Sequence, residues 1–204
     1  GSTARIKEVK IIGVTKFDED DLLSRLDLKP TSFMSWWNKD DRYSRQVLTG
    51  DLEKIRSFYM DRGYLDFDIE NTTVSISETK KNVYIAIIIN EGDKYSFGDI
   101  KISGKFYPLK EESIFQNDIK TIKGEVFSRK LLNQSTESIN QELGNYGYAF
   151  SNVNPIPDVD KNNLTVGFNY FIEPGKKVYV RRISFVGNEG TQDKVLRREM
   201  RQFE

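Results

Sequence analysis

The chain has 204 residues, and its 31 lysine and arginine residues balance 31 acidic residues, so its net charge at pH 7 is zero. A neutral chain has no overall field that would favour nucleic acid or an anionic membrane. It contains no cysteine and no histidine, which excludes disulfides and thiol nucleophiles and removes the side chain best suited to acid–base work near neutral pH. We therefore expect no enzymatic activity, no cofactor, no metal site and no nucleic-acid partner.

No apolar run approaches the roughly eighteen residues that a membrane-spanning helix needs, and no signal peptide opens the chain. Gly1 and Ser2 resemble a cloning scar, and the last repeat described below is incomplete. We interpret the sequence as a fragment of a longer protein.

The segment from Arg5 to Val14 carries apolar residues around Gly13 and predicts a partly buried strand. The acidic run 18–21 then indicates the start of a helix, with Asp18 as its N-cap and the other acids at the positive end of the helix dipole. A metal site formed by these acids is the alternative interpretation.

A second helix is predicted from Ser44, with its apolar residues at the spacing of one buried stripe and Gly63 as its C-cap. The start, the stripe and the Gly-Tyr end recur 84 positions later, from Ser128 to Gly147. This shared offset indicates an internal repeat. The matched stripe residues are Leu48 with Leu132, Leu52 with Thr136, Ile55 with Ile139, and Tyr59 with Leu143.

Residues 65–76 alternate apolar and polar side chains, and the alternation changes phase near Asn71 and Thr72, which predicts a strand with a bulge. The unbroken apolar run from Val83 to Ile89 predicts a strand in the middle of the sheet, buried on both faces. Each unit is therefore predicted to be β-α-α-β-β, a three-stranded mixed sheet packed on two helices, in the α+β class.

We divide the chain into a leader (1–4), a first unit (5–92), a second unit (93–175) and a partial third unit (176–204). The second unit has predicted helices near 111–120 and 128–145 and a hairpin over 150–172. The third has one strand (178–186) and one helix (192–202), so we expect it to be disordered or to pair with a neighbouring molecule. We predict a hinge between the two complete units at Gly92, Asp93 and Lys94.

The first unit has seven extra residues, since 13 to 44 spans 31 positions whereas 104 to 128 spans 24. This insertion contains Trp36 and Trp37, the two tryptophans of the chain. Either tryptophan could cover one end of the core, or the pair could be an exposed anchor for a partner protein.

The strand before the central one also differs between the units. In the second unit it carries Pro155 and Pro157, which cannot donate to a sheet and normally protect an edge. The corresponding strand of the first unit has no proline, so an extended chain could add to it by β-augmentation. The alternative is an unpaired edge protected by its bulge and by neighbouring acids. The candidate client-binding residues are Phe67, Ile69, Thr72, Val74 and Ile76.

Several stretches resemble the POTRA (polypeptide-transport-associated) domains of outer-membrane β-barrel assembly factors: residues 35–38, 46–48, 50–53, 61–64, 146–149, 179–182 and 195–202. The last of these is the most specific. The similarity covers almost the whole chain and is to the third, the fourth and the start of the fifth domain of such an array.

The resemblance implies a periplasmic location in a Gram-negative bacterium, a membrane-inserted barrel further along the protein, and partners among nascent outer-membrane proteins and accessory lipoproteins. In the family the edge strand of the third domain is the usual candidate for augmentation. The first helix of the fifth domain docks an accessory lipoprotein, which corresponds here to Arg197 and Glu204. A solvated basic face is the alternative for the arginines near 197. We expect a chaperone-like scaffold, with a passive spacer as the alternative.

Overall fold

The computed structural model describes residues 4–30, 33–34, 42–105, 115–179, 183–184, 186, 192, 194–195 and 198. Two α+β units lie in this part of the chain, each built around a mixed sheet. The predicted fold class is confirmed. The predicted third unit falls mostly outside the described residues, and so do Arg197 and Glu204. Val178 and Tyr179, at the start of its predicted strand, lie in irregular backbone.

The first unit comprises β1 (Ala4–Ile12), α1 (Glu19–Ser24), β2 (Phe33–Met34), α2 (Arg42–Met60), β3 (Asp68–Ile76) and β4 (Asn82–Asn90). Its sheet has the order β2-β1-β4-β3, in which β4 is parallel to β1 and antiparallel to β3. The predicted central position of the apolar strand is confirmed, but its predicted burial on both faces is wrong. One face is buried in the core, whereas Tyr84 on the other face is 38% exposed. The predicted bulge is also confirmed, because the β3–β4 register shifts between Ile69 and Asn71. The sheet has four strands where three were predicted, because the short strand β2 was not predicted.

The second unit comprises β5 (Ser96–Gly104), α3 (Arg129–Asn145), β6 (Asn152–Asp160) and β7 (Thr165–Glu173), and its sheet has the order β5-β7-β6. The first helix predicted for this unit, near 111–120, is wrong in its described part: residues 111–114 lie outside the described residues, and residues 115–120 do not form an α-helix. The described part near that helix, Phe115 to Asp118, forms a turn closed by the Asp118 N–H on the Phe115 carbonyl at 3.0 Å.

The short strand β2 shows where the first unit has its extra residues. Arg5 and Ser96 are equivalent positions, because each stands eight residues before a glycine, Gly13 or Gly104. Arg5 pairs with Phe33 of β2, and Ser96 forms the corresponding bridge with Val126. Phe33 and Val126 are therefore equivalent, and the insertion follows β2. Trp36 and Trp37 lie in that stretch, outside the described residues.

Each unit packs one face of its sheet against helices and loop residues to form a hydrophobic core. In the first core, Tyr59 of α2 is fully buried and stacks on Phe67, with ring centroids 4.4 Å apart. In the second core, Phe127 stacks on Phe168 of β7. Aromatic pairs of this kind contribute both buried area and a geometric preference.

The predicted helix caps are present. The Asp18 carboxylate accepts a hydrogen bond from the Asp20 N–H at the start of α1. After α2, Gly63 has φ +103°, and the Tyr64 N–H donates to the Tyr59 carbonyl at 3.1 Å. After α3 the same bond joins Tyr148 to Leu143 at 3.0 Å. A glycine with positive φ and a bond back over the last turn form the Schellman type of helix end.

A buried carboxylate connects the end of the central strand to the turn after β1. Glu91 is 6% exposed, and it accepts hydrogen bonds from the N–H and hydroxyl of Thr15, the Lys16 N–H and the Tyr59 hydroxyl. Burial alone would raise the pKa of Glu91, but these hydrogen bonds outweigh it and lower the pKa below the ordinary value of 4.5. The turn is therefore held by a charged acceptor.

The close approach of the β1 turn to β4 gives a testable prediction. A Cβ at Gly13, where φ is +104°, would lie 2.3 Å from the Ile89 carbonyl oxygen. We expect Gly13→Ala to destabilise the protein by about 1–3 kcal/mol or more. Gly50→Ala in α2 is the control, because no atom lies within 4 Å of its added Cβ. That change should stabilise by about 0.5–1 kcal/mol. Urea unfolding measures the free energy of unfolding of both variants. Equal changes in the two variants would contradict the close approach of Gly13 to Ile89.

A second prediction concerns Glu91. Because its folded-state pKa is lower than the unfolded value of 4.5, its contribution to stability is complete above pH 4.5 and is lost as pH falls through the folded pKa. Glu91→Gln should cost about 1–3 kcal/mol at neutral pH, since an amide offers fewer acceptors to the same donors. The difference between the two proteins should shrink below pH 4.5 in unfolding experiments. If the difference in unfolding free energy stayed constant down to pH 3, Glu91 would not act as a charged acceptor in the folded protein.

Candidate functional site

The strand β3 lies at the edge of the first sheet, where among the described residues it pairs with β4 alone. The register of this pair is regular from Asn71 to Ile76. Just beyond the strand, the Ser77 N–H donates to the Asn82 carbonyl at 2.9 Å, so Ser77 and Asn82 form a hydrogen-bonded pair. Antiparallel pairs alternate between bonded and non-bonded. The backbone groups of Thr72, Val74 and Ile76 therefore point away from β4, towards the free edge.

The side chains of these same residues lie on the core side of the sheet. Thr72, Val74 and Ile76 are opposite the buried residues Ile87, Ile85 and Val83 of β4. Ile69 and Val74 are partly buried against the first core, as are Leu48 and Leu52 of α2. The edge thus has an apolar side next to α2. The intervening residues, Thr73 and Ser75, are exposed on the opposite face.

Phe67 is the exception among the candidate residues. It precedes β3 and is 4% exposed, with its ring stacked on Tyr59. Its side chain belongs to the core of the first unit, and we do not include it among the residues that could contact a client.

The corresponding strand of the second unit, β6, has prolines at the outward positions. Pro155 is opposite Tyr170 and Pro157 is opposite Phe168, as Thr72 and Val74 are opposite Ile87 and Ile85. These pairs correspond at the offset of 83 residues that relates Gly92 to Gly175. A proline is tolerated there because its missing N–H would have faced solvent. The two prolines remove outward donors that the first unit retains.

Two of the three acids expected to protect the β3 edge contact other side chains, namely Asp66 and Asp68. The Asp66 carboxylate accepts a hydrogen bond from the Tyr95 hydroxyl at 2.8 Å, across the boundary between the units. Asp68 lies 3.9 Å from the Arg56 guanidinium, a weak and exposed ion pair. Glu70 is exposed at the bulge. Asp66 therefore helps to hold the second unit, a role that the sequence alone did not indicate.

The residues of the predicted hinge lie beside several contacts between the units. Gly92 has φ +67°, and a Cβ there would be 3.0–3.2 Å from Asp66. Lys94 forms a bridge with Tyr64, and the next residue, Tyr95, donates its N–H to the Gly63 carbonyl at 2.8 Å. The second joint repeats this last bond, since the Val178 N–H donates to the Gly147 carbonyl at 2.8 Å.

The start of α3 makes further contacts with α2 of the first unit. The Arg129 guanidinium bonds to the Glu53 carboxylate and to the Ser57 hydroxyl, the latter at 2.6 Å. The Lys130 N–H donates to the Asp61 carboxylate at 2.8 Å. Met60, at the end of α2, packs against both cores. Both polar and apolar contacts thus join the two units, and a large change of angle at Gly92 would have to break the polar ones.

Sequence reasoning missed most of these contact residues. Arg129 carried no signal, because a basic residue at a helix start is unremarkable until its partner on another unit is known. Glu91 could have been found from its place between the central strand and Gly92.

Trp36, Trp37, Arg197 and Glu204 lie outside the described residues. Within the described part of the chain, no group of three or more acids could hold a metal ion. Of the acids at the start of α1, Asp18 caps the helix, Asp21 pairs with Arg25, and Glu19 accepts a hydrogen bond from the Ile11 N–H of β1.

The sequence-family comparison matches POTRA (Surface antigen variable number repeat) to residues 4–92 and 95–175. The chain belongs to the POTRA family. Outer membrane protein assembly factor BamA from Buchnera aphidicola subsp. Acyrthosiphon pisum is 34% identical over 206 residues, and BamA from Neisseria meningitidis serogroup B is 30% identical over 205 residues. Both matches cover 100% of this chain but only 33% and 26% of the relatives. This chain thus spans about a third or less of the length of these two relatives.

Solved structures agree with this assignment. The crystal structure of Haemophilus influenzae BamA POTRA3-5 has a TM-score of 0.81 and 26% identity, and the match covers 100% of this chain and 79% of that one. BamA from Haemophilus ducreyi lacking POTRA domains 1-3 shares the fold, with a TM-score of 0.64 at 19% identity over 83% of this chain and 29% of that one. The resemblance inferred from the sequence motifs is confirmed.

Among the helices that the structure describes, none has the length and apolar character needed to cross a membrane.

A prediction tests the contacts between the two POTRA units. Arg129→Met keeps the apolar stem and removes the bonds to Glu53 and Ser57. We expect a wider distribution of inter-unit angles in solution scattering or residual dipolar couplings. The cost in stability should be below about 1 kcal/mol, because the pair is only partly buried. The matched control is Lys130→Met, whose contact uses the backbone N–H and survives the substitution. An unchanged angle distribution in Arg129→Met would show that this arginine does not hold the joint.

Proposed function

We propose that these POTRA units are a periplasmic, chaperone-like scaffold of an outer-membrane protein assembly machinery, binding unfolded β-barrel precursors by β-augmentation at β3. The relatives with 34% and 30% identity are named outer membrane protein assembly factors, which supports the assembly role. The observation that carries client binding is the outward-facing backbone of Val74, at the position where the second unit has Pro157. Edge pairing uses backbone hydrogen bonds and therefore accepts many sequences.

The chemistry of the edge favours an amphipathic strand. An added strand would lie beside Val74 and Ile76, with one row of side chains on the side of α2 and the other facing water. Leu48 and Leu52 are partly buried on that α2 side. Strands of membrane barrels alternate apolar and polar residues, with one side for lipid and one for the lumen. Such a strand would cover the apolar side of the β3 edge and leave its polar residues solvated.

Docking of accessory lipoproteins is part of the same proposal. Its candidate contacts are Trp36, Trp37, Arg197 and Glu204, and their support is the resemblance of the surrounding motifs to the family. The membrane association of the whole protein would come from a barrel further along the chain.

A passive spacer is the second candidate function, and the hydrogen bonds between the two units favour it. Arg129, Tyr95 and Lys130 all bond to residues of the first unit. A spacer needs a fixed angle between its units, whereas a hinge at Gly92, Asp93 and Lys94 needs these bonds to break and reform. The two candidates differ in client binding, which a spacer does not require.

The test of client binding is Val74→Pro. The Val74 N–H faces away from β4, so proline there removes an outward donor and leaves the β3–β4 hydrogen bonds in place. We expect the variant to stay folded by circular dichroism and to bind an alternating valine–threonine peptide with lysine ends about tenfold or more weakly in fluorescence anisotropy, since pairing at the edge is interrupted.

The matched control is Val159→Pro in β6. Val159 is opposite Val166, as Ile76 is opposite Val83, but its strand already carries two prolines. This change should leave peptide affinity unaltered. If Val74→Pro were folded and bound the peptide as tightly as the wild type, edge pairing would be wrong and the spacer would be favoured.

A further inference from the structure

The three outward positions of β3 are not equivalent, because one of their N–H groups already has a partner. The Thr72 N–H donates to Oδ1 of Asn71 at 2.8 Å. This bond independently supports the alternation derived above, since an N–H that faced β4 would donate to a β4 carbonyl. The outward donors that remain for an added strand are those of Val74 and Ile76.

The bulge gives Asn71 its special position. Ile69 is opposite Ile89, and Asn71 is opposite Ile88, so Glu70 is the extra residue of β3. A bulge increases the local twist and redirects the strand. Asparagine also has a short side chain that competes well for nearby backbone N–H groups. The Asn71 side chain therefore lies where the regular part of the edge begins and occupies its first donor.

The second unit removes the same donor by a different means. Thr72 corresponds to Pro155, because their partners Ile87 and Tyr170 are equivalent residues of the central strands. At this position one unit has an occupied N–H and the other has none. At the next outward position the units differ, since Val74 has an N–H and Pro157 does not.

From these observations we infer that Asn71 is a register stop on the β3 edge. An added strand pairs with Val74 and Ile76, and its end lies opposite Thr72. This inference rests on the proposed function, and it identifies the client segment as a short amphipathic strand. A longer strand would have to displace the Asn71 oxygen and would exchange one hydrogen bond for another at Thr72, with little net gain.

The experiment is amide hydrogen exchange by nuclear magnetic resonance, with and without the lysine-ended valine–threonine peptide. In the wild type, the peptide should slow exchange at Val74 and Ile76 and leave Thr72 unchanged. In Asn71→Ala, the Thr72 N–H is released, so the peptide should slow its exchange as well. The peptide should also bind about two- to tenfold more tightly, as expected for one added hydrogen bond.

Two variants serve as controls. Asn71→Asp keeps the Oδ1 acceptor and should retain the wild-type pattern at Thr72. Thr73→Ala changes an exposed side chain on the other face and should have no effect. All variants are first compared with the wild type by thermal unfolding, so that a loss of folding is recognised.

The outcomes separate this inference from the proposed function. If the peptide slowed Thr72 exchange in the wild type to the same extent as in Asn71→Ala, the side chain would not be a stop, and the inference would be wrong. The same holds if Thr72 stayed unprotected in Asn71→Ala while Val74 and Ile76 became protected. If the peptide changed no β3 amide in any of the proteins, the proposed client binding itself would fail.

Discussion

Each backbone N–H of a strand can serve only one neighbour, and this limit governs what β3 can do. The hairpin with β4 uses every second N–H of β3, so the groups of Thr72, Val74 and Ile76 face the other way. Whether an outward N–H is available at those positions depends on single residues. Proline removes the donor in β6, whereas an asparagine side chain occupies one donor of β3 and leaves the next. The two units share the order of their three main strands, but their edges therefore differ in the backbone donors that face outward.

The helix α2 takes part both in the core beside the edge and in the contacts between the units. This helix carries Leu48 and Leu52, which are partly buried against the same core as Val74 of β3. Further along, Glu53 and Ser57 accept hydrogen bonds from Arg129 of the second unit. A strand bound at β3 would therefore be held at a set position relative to the next POTRA unit. The client binding that we propose is therefore compatible with a spacing role of the same two units.

Much of the fold could be predicted because it depends on local patterns. The N-cap at Asp18, the glycine ends of the helices and the unbroken apolar run of β4 all arise from neighbouring residues. The bulge was visible as a change of phase in the alternation. The short strand β2 was not predicted, because its two residues have no pattern of their own and depend on pairing with β1.

The candidate site was predictable only in outline. The contrast between the Pro-free strand and β6 identified the edge, since proline is incompatible with sheet donation wherever it occurs. Phe67 was assigned to that edge on its alternation alone, whereas its ring packs against Tyr59 in the core. The direction of each N–H also needed the register, which the Ser77–Asn82 bond establishes.

The sequence by itself determined the repeat, the α+β class, the family and the absence of proline from the strand before the central one in the first unit, because these follow from periodicity and from residue types with strict backbone requirements. Only the tertiary structure decided which donors of that strand face outward, that Asn71 occupies one of them, and that Arg129, Tyr95 and Lys130 join the units. Those properties depend on register and on contacts between residues far apart in the chain, for which no local pattern exists.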